Sequence, residues 1–178
     1  MNNPNSPQQS ETQRQDLARQ LFANPAHQVY AVLDGASNPA LLGRLQREQP
    51  EFICLYRGEL APDLAECAPY LVRLEQGTPF AQWIITNSLG KHWGIFVLSR
   101  ADLRELRQHF RKFNMVYDPE GNRPLLFRYY DPRVLRIFLP SCDKKQQAEF
   151  FGPVDAYFAE TEGGESHIRF DRSVIQRF

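Results

Sequence analysis

The sequence predicts an α/β fold: a single domain with a central mixed β-sheet flanked by helices, a short flexible N-terminus and a C-terminal tail. Three observations carry that prediction. Short apolar, β-branched or aromatic runs at residues 29–33, 52–55, 70–74, 93–98, 125–130 and 154–159 alternate with stretches of helical periodicity. Capping and turn residues stand at the junctions between them. At 178 residues, of which 42% are hydrophobic, the chain is long enough for one sizeable core.

Residues 1–9 are Asn, Pro, Ser and Gln almost throughout, a composition expected to be disordered. Ser10 and Gln13 have capping-box spacing for a first helix, with Leu17, Leu21 and Phe22 on its apolar stripe and its end near Asn24–Pro25. The run 29–33 is a strand closed by Asp34–Gly35. Ser37 is placed to cap the next helix, with Pro39 in its first turn and Leu41, Leu42 and Leu45 buried. After the strand 52–55, residues 57–68 hold Gly58, Pro62 and mixed charge and are expected to form a loop able to cradle a partner. Pro69 opens the strand 70–74, where a missing N–H is tolerated. Thr78–Pro79 starts a helix with Phe80, Trp83, Ile84 and Leu89 inward and Gly90 at its exit. Beyond strand 93–98, Ser99 is expected to cap a helix reaching Phe113, on which Leu103, Leu106, Phe110 and Phe113 share one face. Residues 114–117 and 125–130 suit a hairpin around Asp118–Pro119–Glu120–Gly121.

The stretch PLLFRYYDPRVLRIFLP, residues 124–140, is expected to be a strand covered on both faces, a sharp stop, and a helix. Asp131 can accept the orphan N–H groups of the turn that follows, and Pro132 loses nothing at the first helical position. Val134, Leu135, Phe138 and Leu139 give that helix a buried face, and Pro140 is expected to stop it. Residues 144–150 suit a further helix leading to Gly152–Pro153, and 154–159 with 166–170 a closing hairpin around Gly163–Gly164. The domain is thus expected to span 10–170. The tail, 171–178, would place Val174, Ile175 and Phe178 on one helical face.

Composition narrows the function. Lys plus Arg equals Asp plus Glu, 21 each, so no global field draws the chain to nucleic acid, and no nucleic-acid partner is expected. No apolar run reaches membrane-spanning length, and the N-terminus has neither the basic start nor the apolar stretch of a signal peptide. A cytoplasmic protein without membrane insertion is expected. Cys54, Cys67 and Cys142 are odd in number and far apart, so buried reduced thiols are expected rather than a disulfide framework or zinc site. His27, His92, His109 and His167 are scattered and suit surface positions; a pairing of His92 with Cys67 or Asp131 is the reactive alternative. No nucleophile elbow, phosphate loop or metalloprotease motif occurs, and no catalytic residue, metal or cofactor is assigned.

The candidate binding residues surround the strand-to-helix turn. Asp131 suits a helix cap better than an acid. Arg128, Arg133 and Arg136 can either pair internally or present forks to a partner carboxylate. The aromatic cluster Phe127, Tyr129, Tyr130 and Phe138 suits the core better than an interface. Strand alternation would put Phe127 and Tyr129 on one face and Arg128 and Tyr130 on the other, and if either face is incompletely covered Arg128 and Tyr130 are candidate interface anchors. Arg100, Arg104, Arg107 and Arg111 lie along one side of their helix. Asp102 and Glu105 interrupt that stripe, which favours a solvated face over a phosphate site.

FRYYDPRVL, together with VYAVLDGA at 29–36, APYLVRL at 68–74 and FFGPV at 150–154, resembles in order the signatures of a bacterial family of type VI secretion adaptors. These are the effector chaperones often called Tap or TEC proteins. The resemblance covers most of the chain. It implies a non-enzymatic adaptor whose partners are a toxic effector and a VgrG-type spike protein, onto which the effector is loaded. A small α/β enzyme or ligand-binding domain, and a regulatory protein-binding module unrelated to secretion, are the alternatives. Many members of that family continue into a helical second lobe thought to help engage cargo. The sequence to Phe178 leaves open a short-form adaptor and one that needs another subunit.

Overall fold

The computed structural model describes residues 7–118 and 120–172. In chain order the elements are α1 (Pro7–Leu21), β1 (Gln28–Asp34), α2 (Leu41–Glu48), β2 (Phe52–Cys54), α3 (Pro62–Cys67), β3 (Pro69–Leu74), α4 (Pro79–Asn87) and β4 (Gly94–Ser99). There follow α5 (Leu103–Arg111), β5 (Met115–Asp118), β6 (Arg123–Leu126), α6 (Pro132–Ser141), α7 (Lys144–Phe151), β7 (Val154–Glu160) and β8 (His167–Asp171). Six strands form one sheet in the order β2-β3-β1-β4-β7-β8, while β5 and β6 form a separate hairpin.

The α/β architecture is as the sequence predicts, but the sheet is antiparallel at every pairing rather than mixed. The crossovers β1–α2–β2 and β3–α4–β4 do join strands that run the same way, as alternating strands and helices suggest. Each skips one position, and the strand filling the gap runs in the opposite direction.

Strand β1 is central, paired from Val29↔Leu74 to Asp34↔Pro69 on one side and from Gln28↔Ser99 to Leu33↔Gly94 on the other. Its alternation splits the core into two layers. Val29, Ala31 and Leu33 pack with Leu17 and Leu21 of α1, Leu41 and Leu45 of α2, and Phe80 and Ile84 of α4. Tyr30 and Val32 pack on the opposite face with Leu106 and Phe110 of α5, Leu135 and Leu139 of α6, and Phe150 and Phe151 of α7. Helices on both faces explain why VYAVL is unbroken in its apolarity.

Several element ends differ from expectation, each for a local reason. Helix α1 begins at Pro7, so residues 7–9 are helical and Ser10 lies inside the helix rather than capping it; residues 1–6 lie outside the described part. Asp34, not Ser37, caps the turn that follows β1, and α2 starts at Leu41 without a side-chain cap. Residues 57–68 contain α3, with Pro62 in its first turn. Asp102 caps α5 by accepting the Glu105 N–H at 2.8 Å, while Ser99 accepts the Ala101 N–H at 3.0 Å before the helix begins and donates to the Pro153 carbonyl at 2.6 Å. Pro140 sits inside the last turn of α6. Its fixed φ suits a helix, so the chain continues one residue and ends at Ser141. Thr78 caps α4 as expected, and both hairpins form. Of the tail, Asp171 closes β8 and Arg172 donates to the Gly152 carbonyl at 2.7 Å; Val174, Ile175 and Phe178 lie outside the described residues.

The largest departure is at 125–130. Strand β6 ends at Leu126 and pairs only with β5, so Leu125 and Leu126 are exposed instead of covered. The chain then leaves the extended conformation, and alternation no longer holds. Tyr129 and Tyr130 are consecutive yet both buried.

Candidate functional site

Three of the quoted motifs meet at the end of β1. Asp34 accepts the Ala36 N–H at 3.1 Å and the Ser37 hydroxyl at 2.6 Å, and its Oδ2 is paired with Arg128. Gly35 donates its N–H to the Ala68 carbonyl at 3.0 Å. A Cβ on Gly35 would stand 2.2 Å from the Glu66 carbonyl oxygen, so this close approach demands glycine. The D-G-A of one motif is therefore shaped by the start of another, and Arg128 ties both to the third.

From Arg128 the charges continue to α6. Arg128 lies 3.9 Å from Asp131, which caps α6 by accepting the Arg133 N–H at 2.9 Å. The Arg133 side chain closes a two-pronged fork on the same carboxylate, Nε to Oδ1 at 3.0 Å and Nη2 to Oδ2 at 2.7 Å. Burial by itself would raise the Asp131 pKa; the Arg133 hydrogen bonds and the two arginine charges overcome it and hold the carboxyl below its ordinary value. Burial opposes the charge on Arg128, and the Asp34 carboxylate more than restores it. Asp34 and Asp131 are buried, while Arg128 is partly exposed and Arg133 keeps 53% of its side chain exposed. Arg136 turns inward and donates to the Glu160 carbonyl at 2.7 Å.

Of the candidate binding residues, the arginines thus pair internally, and Arg133 remains the most accessible of those in the charge chain. Tyr130 is a correction: at 1% exposure it faces Tyr56 from within the core and presents no ring to solvent. Tyr129 stacks on Phe110 with ring centres 5.8 Å apart, and its hydroxyl bonds Phe110 and Asn114. Phe127 meets Phe138 edge-on at 4.7 Å, on the rim of the same aromatic core.

The fourth motif is also structural in its local logic. His109 bonds the Phe150 carbonyl at 2.8 Å through Nε2 and is buried, contrary to the surface placement expected for the histidines. Burial lowers its pKa. Gly152 has φ +47, and a Cβ there would lie 2.4 Å from the His109 ring. His92 stands against the buried carboxylate of Glu160, not beside Cys67 or Asp131; that carboxylate also accepts the Gly90 N–H at 2.8 Å. Burial lowers the His167 pKa to about 4.

Cys142 is buried as expected, Cys54 is half-buried and Cys67 is exposed; all three are free thiols. The arginine stripe on α5 is not uniformly solvated, since Arg111 turns back and donates to the carbonyls of Cys54, Leu55 and Tyr56. Among the described residues no group of three or more metal-ligating side chains is assembled, and no helix is long and apolar enough to cross a membrane. Sequence reasoning missed Asp34, Glu160 and His109. Only Asp34 had a local signal, a carboxylate directly before Gly–Ala–Ser.

Fold and site define a helix-covered, antiparallel-sheet α/β domain whose ordered motifs converge on a carboxylate–arginine chain linking β1 to α6. The chain belongs to the family described as a domain of unknown function (DUF4123), which matches residues 29–149. No curated protein and no solved structure matches it.

Asp131→Ala is expected to cost about 2 kcal/mol, the upper part of the range for a lost cap, because the Arg133 fork is lost with it. Asp131→Asn, which can still cap, should cost less. The carboxyl titrates lower in the folded state, so its contribution is complete above the unfolded value and is lost as pH falls through the folded one. The gap between wild-type and Asp131→Ala melting temperatures should therefore narrow below about pH 4. A gap that stays constant down to pH 2 would rule out the paired carboxylate as its source.

Proposed function

We propose that this chain is an adaptor that binds a type VI secretion effector in the cytoplasm and helps load it onto a VgrG-type spike protein. The observation that carries the reading is the family match over 29–149, a span that contains three of the motifs resembling the Tap/TEC adaptors and ends just before the fourth. The mechanism is binding alone. The carboxylate–arginine chain supports it by joining the end of β1 to the start of α6, which gives a partner a rigid surface on which Arg133 is exposed.

Co-expression with the cognate effector and spike, followed by size-exclusion chromatography at micromolar concentration, tests the reading. Co-elution with either protein is expected, and separate elution of all three refutes it. Arg133→Ala should weaken co-elution; because it also removes the fork on the buried Asp131 carboxylate and lowers the melting temperature, its binding is compared with wild type at a temperature where both are fully folded. Undiminished binding by that folded variant would move the contact surface away from the turn and leave the adaptor reading in place.

A further inference from the structure

Beside the charged turn lies an apolar groove that none of the described residues covers. It has a volume of about 540 Å3 and runs between the segment Leu55–Leu64 and the start of the β5–β6 hairpin. Leu64 on α3 and Met115 on β5 open into it at 46% and 51% exposure. The hairpin continues the apolar surface with Tyr117 and Leu126, both exposed. A two-stranded hairpin adds little stability of its own, and contiguous exposed apolar side chains are the kind of surface that interaction sites use.

The charge around the groove says what covers it. Its lining carries Arg57 and Arg111 and no carboxylate. Arg111 donates to backbone carbonyls through Nε and Nη2 only, and among the described residues no carboxylate pairs with its charge. Burial, then the neighbouring charges of Arg107 and Arg57, lower its pKa, as expected where cations gather without compensation. Glu59 and Asp63 of the same segment are exposed and lie outside the lining. Through Tyr56, which lines the groove and faces Tyr130, this surface adjoins the β1–α6 junction.

We propose that the groove between α3 and the β5–β6 hairpin docks an acidic amphipathic segment of a partner protein, whose apolar face meets Leu64 and Met115 and whose carboxylates meet Arg57 and Arg111. The proposal rests on the adaptor reading for the partner's identity and adds the chemistry of the contact. Helix-in-groove recognition of this kind places specificity in a few apolar anchors and in charge at the rim.

The test uses the full chain, its Leu64→Asp and Arg57→Glu variants, and two sets of probes. One set is the cognate effector and spike. The other is a fluorescein-labelled peptide with Leu and Glu at helical spacing, and its counterpart with Lys replacing Glu. The Glu peptide should bind the full chain at least about tenfold more tightly than the Lys peptide. Each variant should weaken both the Glu peptide and the protein partner by about tenfold or more at unchanged melting temperature. Equal binding of the two peptides, or variants that bind like wild type, overturns the proposal. A partner complex that survives intact in both variants overturns the groove and leaves the adaptor reading standing. Peptide binding lost in the variants, with no complex to effector or spike, supports the groove and removes the adaptor reading. A dimer of the chain that Leu64→Asp disperses overturns the proposal in favour of a second copy as the occupant.

Discussion

Phe150→Ala is expected to destabilise the domain by about 3–5 kcal/mol, the range for emptying a buried phenylalanine site. Its ring is 1% exposed and stands 5.1 Å from Phe113, 5.2 Å from Phe138, 5.2 Å from Tyr157 and 5.8 Å from Tyr129. These neighbours come from the end of α5, α6, β7 and the turn before α6, so they cannot all collapse into the space one ring vacates. A melting temperature lower by roughly 10 °C follows for a chain of this length. Phe150→Leu should lose about half as much, because most of the volume is kept. A loss under 3 °C for the alanine variant would show that this aromatic cluster does not hold the helices to the sheet.

Arg128→Ala is expected to cost about 2–3 kcal/mol. The Asp34 carboxylate is 1% exposed and keeps its bonds from Ala36 and Ser37, but it loses the cation that joins it to the turn before α6. Breaking a fully buried pair costs about 3–5 kcal/mol; the partial exposure of Arg128 lets water replace some of that interaction. Adding Asp34→Asn to Arg128→Ala should recover part of the loss by removing the unpaired charge. Denaturant midpoints for the two single variants and the double variant should give a coupling of about 1 kcal/mol or more. Additive losses would mean that Asp34 and Arg128 stabilise the domain independently.

The two variants also separate fold from function. Phe150→Ala acts in the aromatic layer beneath α6 and α7, whereas Arg128→Ala acts at the charged junction that links the end of β1 to the start of α6. If the adaptor reading holds, Arg128→Ala should weaken partner binding more than an equal destabilisation made in the core. Comparison at a temperature where both variants are fully folded removes the stability difference from the result.

What could be read from the sequence was local. Asp131–Pro132 and Thr78–Pro79 mark their helix starts because a cap and the N–H groups it satisfies lie within three residues. The hairpin turns were legible for the same reason, and the apolar run of β1 announced a strand covered on both faces. Three of the four ordered motifs also fall inside the span 29–149 that the family model matches. Tertiary structure alone decided the rest. Asp34 and Arg128 are 94 residues apart, and neither carries a local sign of the other. Alternation along a continued strand would separate Tyr129 and Tyr130 onto opposite faces; the chain leaves the hairpin at Leu126, and both tyrosines turn into the core. The sheet is antiparallel because β3 fills the gap left by the crossover from β1 to β2 and β1 the gap between β3 and β4, a pairing between strands that no residue's own preference decides.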